Sequence, residues 1–95
     1  MEEIEILGSK SRIKLLHELS KKDMYLSELI RNVKLDTKNC KHHLDILEKE
    51  GIISKKHKGK RTYYSLEKEI LLHIMPPPQR RYEIQFFDVV KTEQL

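Results

Sequence analysis

The sequence predicts a mainly α domain with a small β-hairpin, an α+β winged helix-turn-helix arrangement. Three observations carry that prediction. Apolar residues recur with helical period through the first half of the chain, Gly51 ends that pattern and gives way to two β-prone runs around Gly59, and positive charge gathers between them. Residues 31 to 61 hold ten Lys/Arg against four Asp/Glu, a net +6. The first thirty residues carry five against six and the last thirty-four carry four against five, so the whole chain comes to +4 with all of its excess in the middle third. That third is expected to face a polyanion, most simply nucleic acid.

With 95 residues the chain is expected to fold as one unit. A chain of this size buries roughly 60 to 65% of its unfolded surface, too little for a deep enclosed pocket. Hydrophobic residues make up 38% and charged ones 36%, with the apolar residues in short periodic groups rather than absent, which argues for a thin core and against disorder. The longest aliphatic run is Ile70-Leu71-Leu72, so no membrane partner is expected. Met1-Glu2-Glu3 opens acidic where a secretory leader would be basic, and no apolar stretch follows, which points to a cytoplasmic protein. The single cysteine, Cys40, cannot form an internal disulfide.

Residues 9 to 20 read as a helix capped by Ser9, after Gly8 breaks a short Ile4-Ile6-Leu7 segment, with Ile13, Leu15, Leu16 and Leu19 as its inward stripe. Met24-Tyr25-Leu26 is a brief extended piece. Ser27 then caps a two-turn helix that turns Leu29, Ile30 and Val33 inward. Lys34-Leu35-Asp36 makes a turn, and Asp36 or Thr37 caps a third helix running to Glu50, where Gly51 supplies a left-handed stop. On this third helix Cys40, Leu44 and Leu47 share the core stripe, His43 sits at its edge, and Lys38, His42, Asp45 and Lys49 fall on the opposite face, flanked by Asn39 and Lys41. A short helix, a tight turn and a helix polar on its outer face make a helix-turn-helix.

Double-stranded DNA is the expected partner of that outer face. Lys38, Asn39 and His42 are candidates for base readout, since asparagine can pair bidentately with adenine and lysine suits guanine, while Lys41 and Lys49 suit phosphates. Taken alone the face could equally be an ordinary solvated one; the short helix before it and the basic run after it favour contact. That run is the hairpin of residues 52–57 and 61–66 around Lys58-Gly59-Lys60, in which five of the seven residues from Lys55 to Arg61 are Lys or Arg. Lys55, Lys56, Lys58, Lys60 and Arg61 read as phosphate or minor-groove contacts, and lysine on an exposed hairpin also guards against edge pairing. Of Tyr63 and Tyr64, which alternate across the strand, one is expected in the core and the other free to meet a phosphate.

Glu67 to Met75 is expected to return to helix, apolar on most faces, until Pro76-Pro77-Pro78 stops it. The division drawn from this is a domain at 1–75 and a C-terminal extension at 76–95. From Arg81 to Val90 the alternation of Tyr82, Ile84 and Phe86 favours a strand, though a helix also fits. The apolar side chains here exceed what one small core can bury, so Ile70, Leu71, Ile74, Met75, Tyr82, Ile84, Phe86 and Val89 are expected to form a homodimer interface, the alternative being that the segment folds back over its own domain.

The stretch from Leu7 to Leu19, the Ser27-Glu28-Leu29 start of the next helix, the run from Cys40 to Ile53 and the closing Gly59 to Leu66 together resemble the ArsR family of winged helix-turn-helix repressors. The resemblance covers about Leu7 to Leu66 and implies a dimeric transcription regulator, a repressor, whose third helix enters the major groove. It departs from the family pattern in three places. Lys41 stands where members usually carry a small hydroxyl residue, so an ammonium would replace a hydroxyl on the phosphate. The arsenic and cadmium sensors have cysteines at the start of the second helix, where Met24 to Leu29 has none; zinc sensors place several His and Asp/Glu on a C-terminal helix, where only His73, Glu67 and Glu69 are available. No metal and no cofactor are therefore expected, and the effector stays open.

No glycine-rich phosphate loop, ordered nucleophile with His and acid, or paired zinc-protease histidines occur, so an enzyme is not expected. Cys40, on the core stripe, reads as a small hydrophobe, and His17 as plain surface. Two rivals to a sequence-specific regulator remain: a winged-helix module that docks on a protein, and a sequence-indifferent DNA-coating protein.

Overall fold

The computed structural model describes residues 1–89. In chain order the elements are α1 (Glu3–Leu7), α2 (Lys10–Leu19), β1 (Met24–Tyr25), α3 (Leu26–Val33), α4 (Thr37–Lys49), β2 (Ile53–Lys58), β3 (Arg61–Leu66), β4 (Lys68–Ile74) and β5 (Tyr82–Asp88). Strands β1, β3 and β2 form one antiparallel sheet in that order, and β4 and β5 form a separate antiparallel ribbon.

The local signals act as expected through the first two thirds of the chain. The Ser9 hydroxyl accepts from the Arg12 amide to cap α2, and Asp36 accepts from the Asn39 amide at 2.8 Å to cap α4. Lys34 takes the left-handed conformation (φ 58°) between α3 and α4, and Gly51 (φ 75°) stops the chain after α4. The wing closes through Gly59 and Lys60 alone, with φ positive only at Gly59, the pattern of a II′ turn. The core gathers Leu15, Leu16 and Leu19 of α2, Leu29 and Val33 of α3, Cys40, Leu44 and Leu47 of α4, and Ile52, Ile53, Met24 and Tyr64 around the sheet, with Ile6 of α1 closing one end.

Three expectations are corrected. Residues 67–75 are not a helix: Lys68–Ile74 is strand β4, paired along its whole length with β5, from Lys68 opposite Asp88 to Ile74 opposite Tyr82. The segment contains both periodicities, and a helix apolar on most faces would need cover that a 95-residue chain lacks. As a strand it sets Ile70, Leu72 and Ile74 on one face against Phe86, Ile84 and Tyr82. The ribbon thus straddles the boundary expected at residue 76. Second, α3 starts at Leu26 with Tyr25 as its N-cap residue, not Ser27; the Glu28 carboxylate accepts from the Tyr25 N–H at 3.2 Å, so an acid three residues on supplies the cap. Third, Ile13 is 45% exposed and lies off the buried stripe of α2. The strand expected over 81–90 is present as Tyr82–Asp88; Val89 follows it, and Val90 lies outside the described residues.

Gly51→Ala is expected to cost about 1 kcal/mol through backbone strain alone, because nothing lies within 4 Å of an added Cβ. Leu44→Ala, at a fully buried position, should cost about 2 to 5 kcal/mol. Urea unfolding of the two variants measures the difference.

Candidate nucleic-acid interface

Helix α4 is held from beneath. Cys40, Leu44 and Leu47 are fully buried, and the outer residues Lys38, Asn39, Lys41, His42, Asp45 and Lys49 are all exposed. Burial pushes the Cys40 thiol above its ordinary value, as suits an inert core residue. Asn39 is not idle: its side-chain amide donates to the second oxygen of Asp36 at 2.9 Å, so it reinforces the cap at the helix's leading end.

The wing is organised by its register. Pairing of Tyr25 with Tyr63, Lys56 with Tyr63 and Lys58 with Arg61 puts these five side chains on one face of the sheet. Met24, Lys55, His57, Thr62 and Tyr64 take the other, and there Met24 and Tyr64 enter the core. Tyr64 is thus the core tyrosine and Tyr63 the outward one. The five basic residues are all exposed but differ in their surroundings. Lys55 reaches Glu48 of α4 at 3.6 Å and Lys56 reaches Glu67 at 3.9 Å. The Lys58 ammonium lies 5.7 Å from the Tyr63 ring centroid, and the Arg61 guanidinium carbon 4.7 Å from that of Tyr25. Lys60 occupies the turn.

A residue not singled out in the sequence links α4 to the rest. The Arg12 guanidinium donates from Nε to the Ile6 carbonyl at 2.9 Å and from Nη2 to the Glu5 carbonyl at 2.8 Å, and its Nη1 lies 3.2 Å from His43 Nδ1. Two carbonyls left open at the end of α1 are thereby satisfied by a cation, where the helix dipole favours one. The signal available in the sequence was an arginine just beyond the Gly8 break.

The residues expected at a dimer interface separate into three groups. Ile70 and Phe86 are partly buried against the core, Met75 and Ile84 are half-buried, and Leu71, Ile74, Tyr82 and Val89 are exposed. Leu71 lies on the opposite ribbon face from Ile70 and Ile74, while Leu72 joins them on the apolar face and is itself exposed. An open groove of about 470 Å³ runs between α2 and β4, lined in part by Leu7, Ile13, Leu16, Ile70 and Leu72. Among the described residues no group of three or more His, Cys, Asp or Glu could hold a metal, and no helix is long and apolar enough to cross a membrane.

Residues 9–55 match the family model described as "Bacterial regulatory protein, arsR family". The chain belongs to the ArsR-like winged helix-turn-helix family. The match takes in α2, α3, α4 and the start of β2, and leaves the ribbon outside. Solved structures with the same fold include the transcriptional repressor BigR from Xylella fastidiosa, at 21% identity and TM-score 0.63, covering 66% of this chain and 64% of that one. NolR from Sinorhizobium fredii aligns at 24% identity and TM-score 0.63, covering 66% and 63%. Rv0081 from M. tuberculosis aligns at 26% identity and TM-score 0.64, covering 66% and 64%. The ArsR-like chain thus spans just under two thirds of the length of each. No curated protein sequence matches it.

The Arg12–His43 contact carries a pH dependence. His43 Nδ1 can accept from Arg12 only while the ring is neutral, and burial first, then the Arg12 charge and His42, hold its pKa below the ordinary 6.5. The folded state therefore binds the proton less readily than the unfolded chain. Its stability is complete above about pH 6.5 and falls as the pH drops from there toward the lowered folded value. In His43→Gln, whose amide oxygen can still accept from Arg12, this part of the decline should vanish; thermal unfolding from pH 7 downward compares the two.

Proposed function

We propose that this chain is a cytoplasmic, sequence-specific DNA-binding transcription regulator, a repressor, acting as a homodimer on double-stranded DNA. The observation that carries the reading is the pairing of an α4 whose core face is fully buried with a wing that presents Lys56, Lys58 and Arg61 on one face. In this reading α4 enters the major groove with Lys38, Asn39 and His42 toward base edges, Asp45 beside them, and Lys41 and Lys49 toward phosphates. Lys55, Lys56, Lys58, Lys60 and Arg61 contact the flanking backbone or minor groove. Nothing in this role calls for catalysis, a metal or a cofactor.

The dimer rests on the distribution of apolar surface. Among the described residues every exposed large apolar side chain lies at the N-terminus, on α1 or α2, or on the β4–β5 ribbon and its end; α3, α4 and the wing have none. The inner part of the ribbon covers its own core, and the outer part, with Leu72, Ile74 and Tyr82, overhangs it. A two-stranded ribbon is marginal by itself, and a two-fold partner supplies what it lacks while setting two recognition helices on half-sites about one helical turn apart. The same overhang would suit a module that docks on an unrelated protein, which is the second reading.

Selection of bound duplexes from a random pool tests the reading as a whole. A palindromic consensus is expected; recovery of random sequence would favour a DNA-coating protein, and recovery of nothing would favour the docking module. Binding should weaken steeply with salt, by a slope of about 0.9 per phosphate contact. Lys58→Ala with Arg61→Ala should weaken all sequences alike, whereas His42→Ala should relax preference at particular base positions; titrations on cognate and random duplex separate the two effects. Light scattering should return a dimer at micromolar concentration, and Leu72→Glu with Ile74→Glu, at exposed positions, should shift it to monomer.

A further inference from the structure

Tyr25 is outside both the recognition helix and the wing hairpin, yet its ring is the surface on which a wing cation rests. It occupies β1, immediately before α3, and pairs with Tyr63 at the centre of β3. The two rings meet edge to face, with centroids 5.5 Å apart and planes at 89°, the arrangement in which the positive edge of one ring addresses the negative face of the other. Arg61 lies over Tyr25 at 4.7 Å and Lys58 over Tyr63 at 5.7 Å. Four side chains from three strands thus form a ladder in which each cation has a ring beneath it and neither is paired with a carboxylate among the described residues. This sets them apart from Lys55 and Lys56, which are drawn toward Glu48 and Glu67. A cation over a ring keeps its full charge and its N–H donors for an anion while losing much of its rotamer freedom, which an ion pair with a carboxylate would not permit.

We infer that Tyr25 is a positioning residue for DNA binding, which holds the Arg61 guanidinium in place for a phosphate of the duplex and ties the angle of the wing to the start of α3. The inference rests on the reading of the wing as a DNA contact. Because Tyr25 joins β1 to β3 and also supplies the N–H that Glu28 caps, the placement of Arg61 is coupled through one residue to the helix-turn-helix itself. Arginine suits the position better than lysine, because its planar group can lie flat on the ring and still offer edge donors outward.

A double-mutant cycle on Tyr25 and Arg61, measured as affinity for a mixed-sequence DNA duplex at fixed salt, tests this. Tyr25→Leu should weaken binding about two- to fivefold in the otherwise unchanged protein, and by nothing further in an Arg61→Ala background. Tyr25→Phe, which keeps the ring, should bind as the parent does. Should Tyr25→Leu fail to fold, phenylalanine fluorinated around the ring at position 25 keeps the shape and removes the attraction for a cation, and the same loss is expected of it. The idea is overturned if the leucine or fluorinated variant binds as well as the parent, or if it loses the same factor with and without Arg61. If Arg61→Ala itself binds like the parent, the wing reading has failed and Tyr25 has nothing to position; that outcome is distinct from the other two.

Discussion

The constraint on which the rest of the structure depends is that α4 is two-faced. Cys40, Leu44 and Leu47 are removed from water entirely, and at roughly 25 cal/mol per Å² of apolar surface no other orientation of the helix competes. Rotating it by one residue, about 100°, would expose this stripe and bury Lys41 or Asp45 without a partner. The outer face is therefore fixed by what lies beneath it, and the side chains there can be chosen for a ligand without cost to the core. The residues around it serve the same end. Asp36 and Asn39 hold its first turn, Gly51 releases the chain into the wing, and Lys55 reaches back to Glu48.

Arg12 extends this constraint to the N-terminus. Helix α1 is only five residues long, too short to be stable alone, and its last carbonyls are closed by a guanidinium from α2. The remaining nitrogen of that group meets His43 at the edge of α4. One side chain thus ties three helices together, beside the core contact that Ile6 of α1 makes. In a dimer that uses the exposed Ile4 and Ile13, the subunit contact and α4 would share this link.

Much of this was legible in the sequence because the signals were local and agreed with one another. Ser9, Asp36 and Gly51 act where they stand, and the period of Cys40, Leu44 and Leu47 told the buried face of α4 from the exposed one. What the sequence left hidden depended on distant partners. Residues 68–74 satisfy a helix and a strand equally in pattern, and only pairing with Tyr82–Asp88, across the triple proline, decides between them. Tyr25 as the N-cap residue of α3 was obscured by Ser27, a better cap by residue type; Glu28 settles it by accepting from the Tyr25 N–H. Arg12, His43 and the stacking of Arg61 on Tyr25 are contacts between elements far apart in the chain, which no local pattern encodes.

The ribbon changes how such a domain can pair. A C-terminal helix buries one stripe and leaves its backbone satisfied, so its contacts with a second copy are side chain to side chain. A two-stranded ribbon carries two edges with open N–H and C=O groups and one apolar face, and an uncovered ribbon of this kind is a liability that proteins rarely leave exposed. Here the face is half covered by its own domain, through Ile70 and Phe86, and the uncovered half continues into a groove floored by Leu16 and edged by Ile13. In the proposed dimer a two-fold axis would set the outer overhang of one copy, Ile74 and Tyr82, against the groove of the other and so cover both. That is self-complementarity, which a closed dimer requires and which docking to an unrelated protein would not. The basic face lies on other elements, α4 and the wing, so pairing by this route leaves the surface proposed for DNA uncovered in both copies.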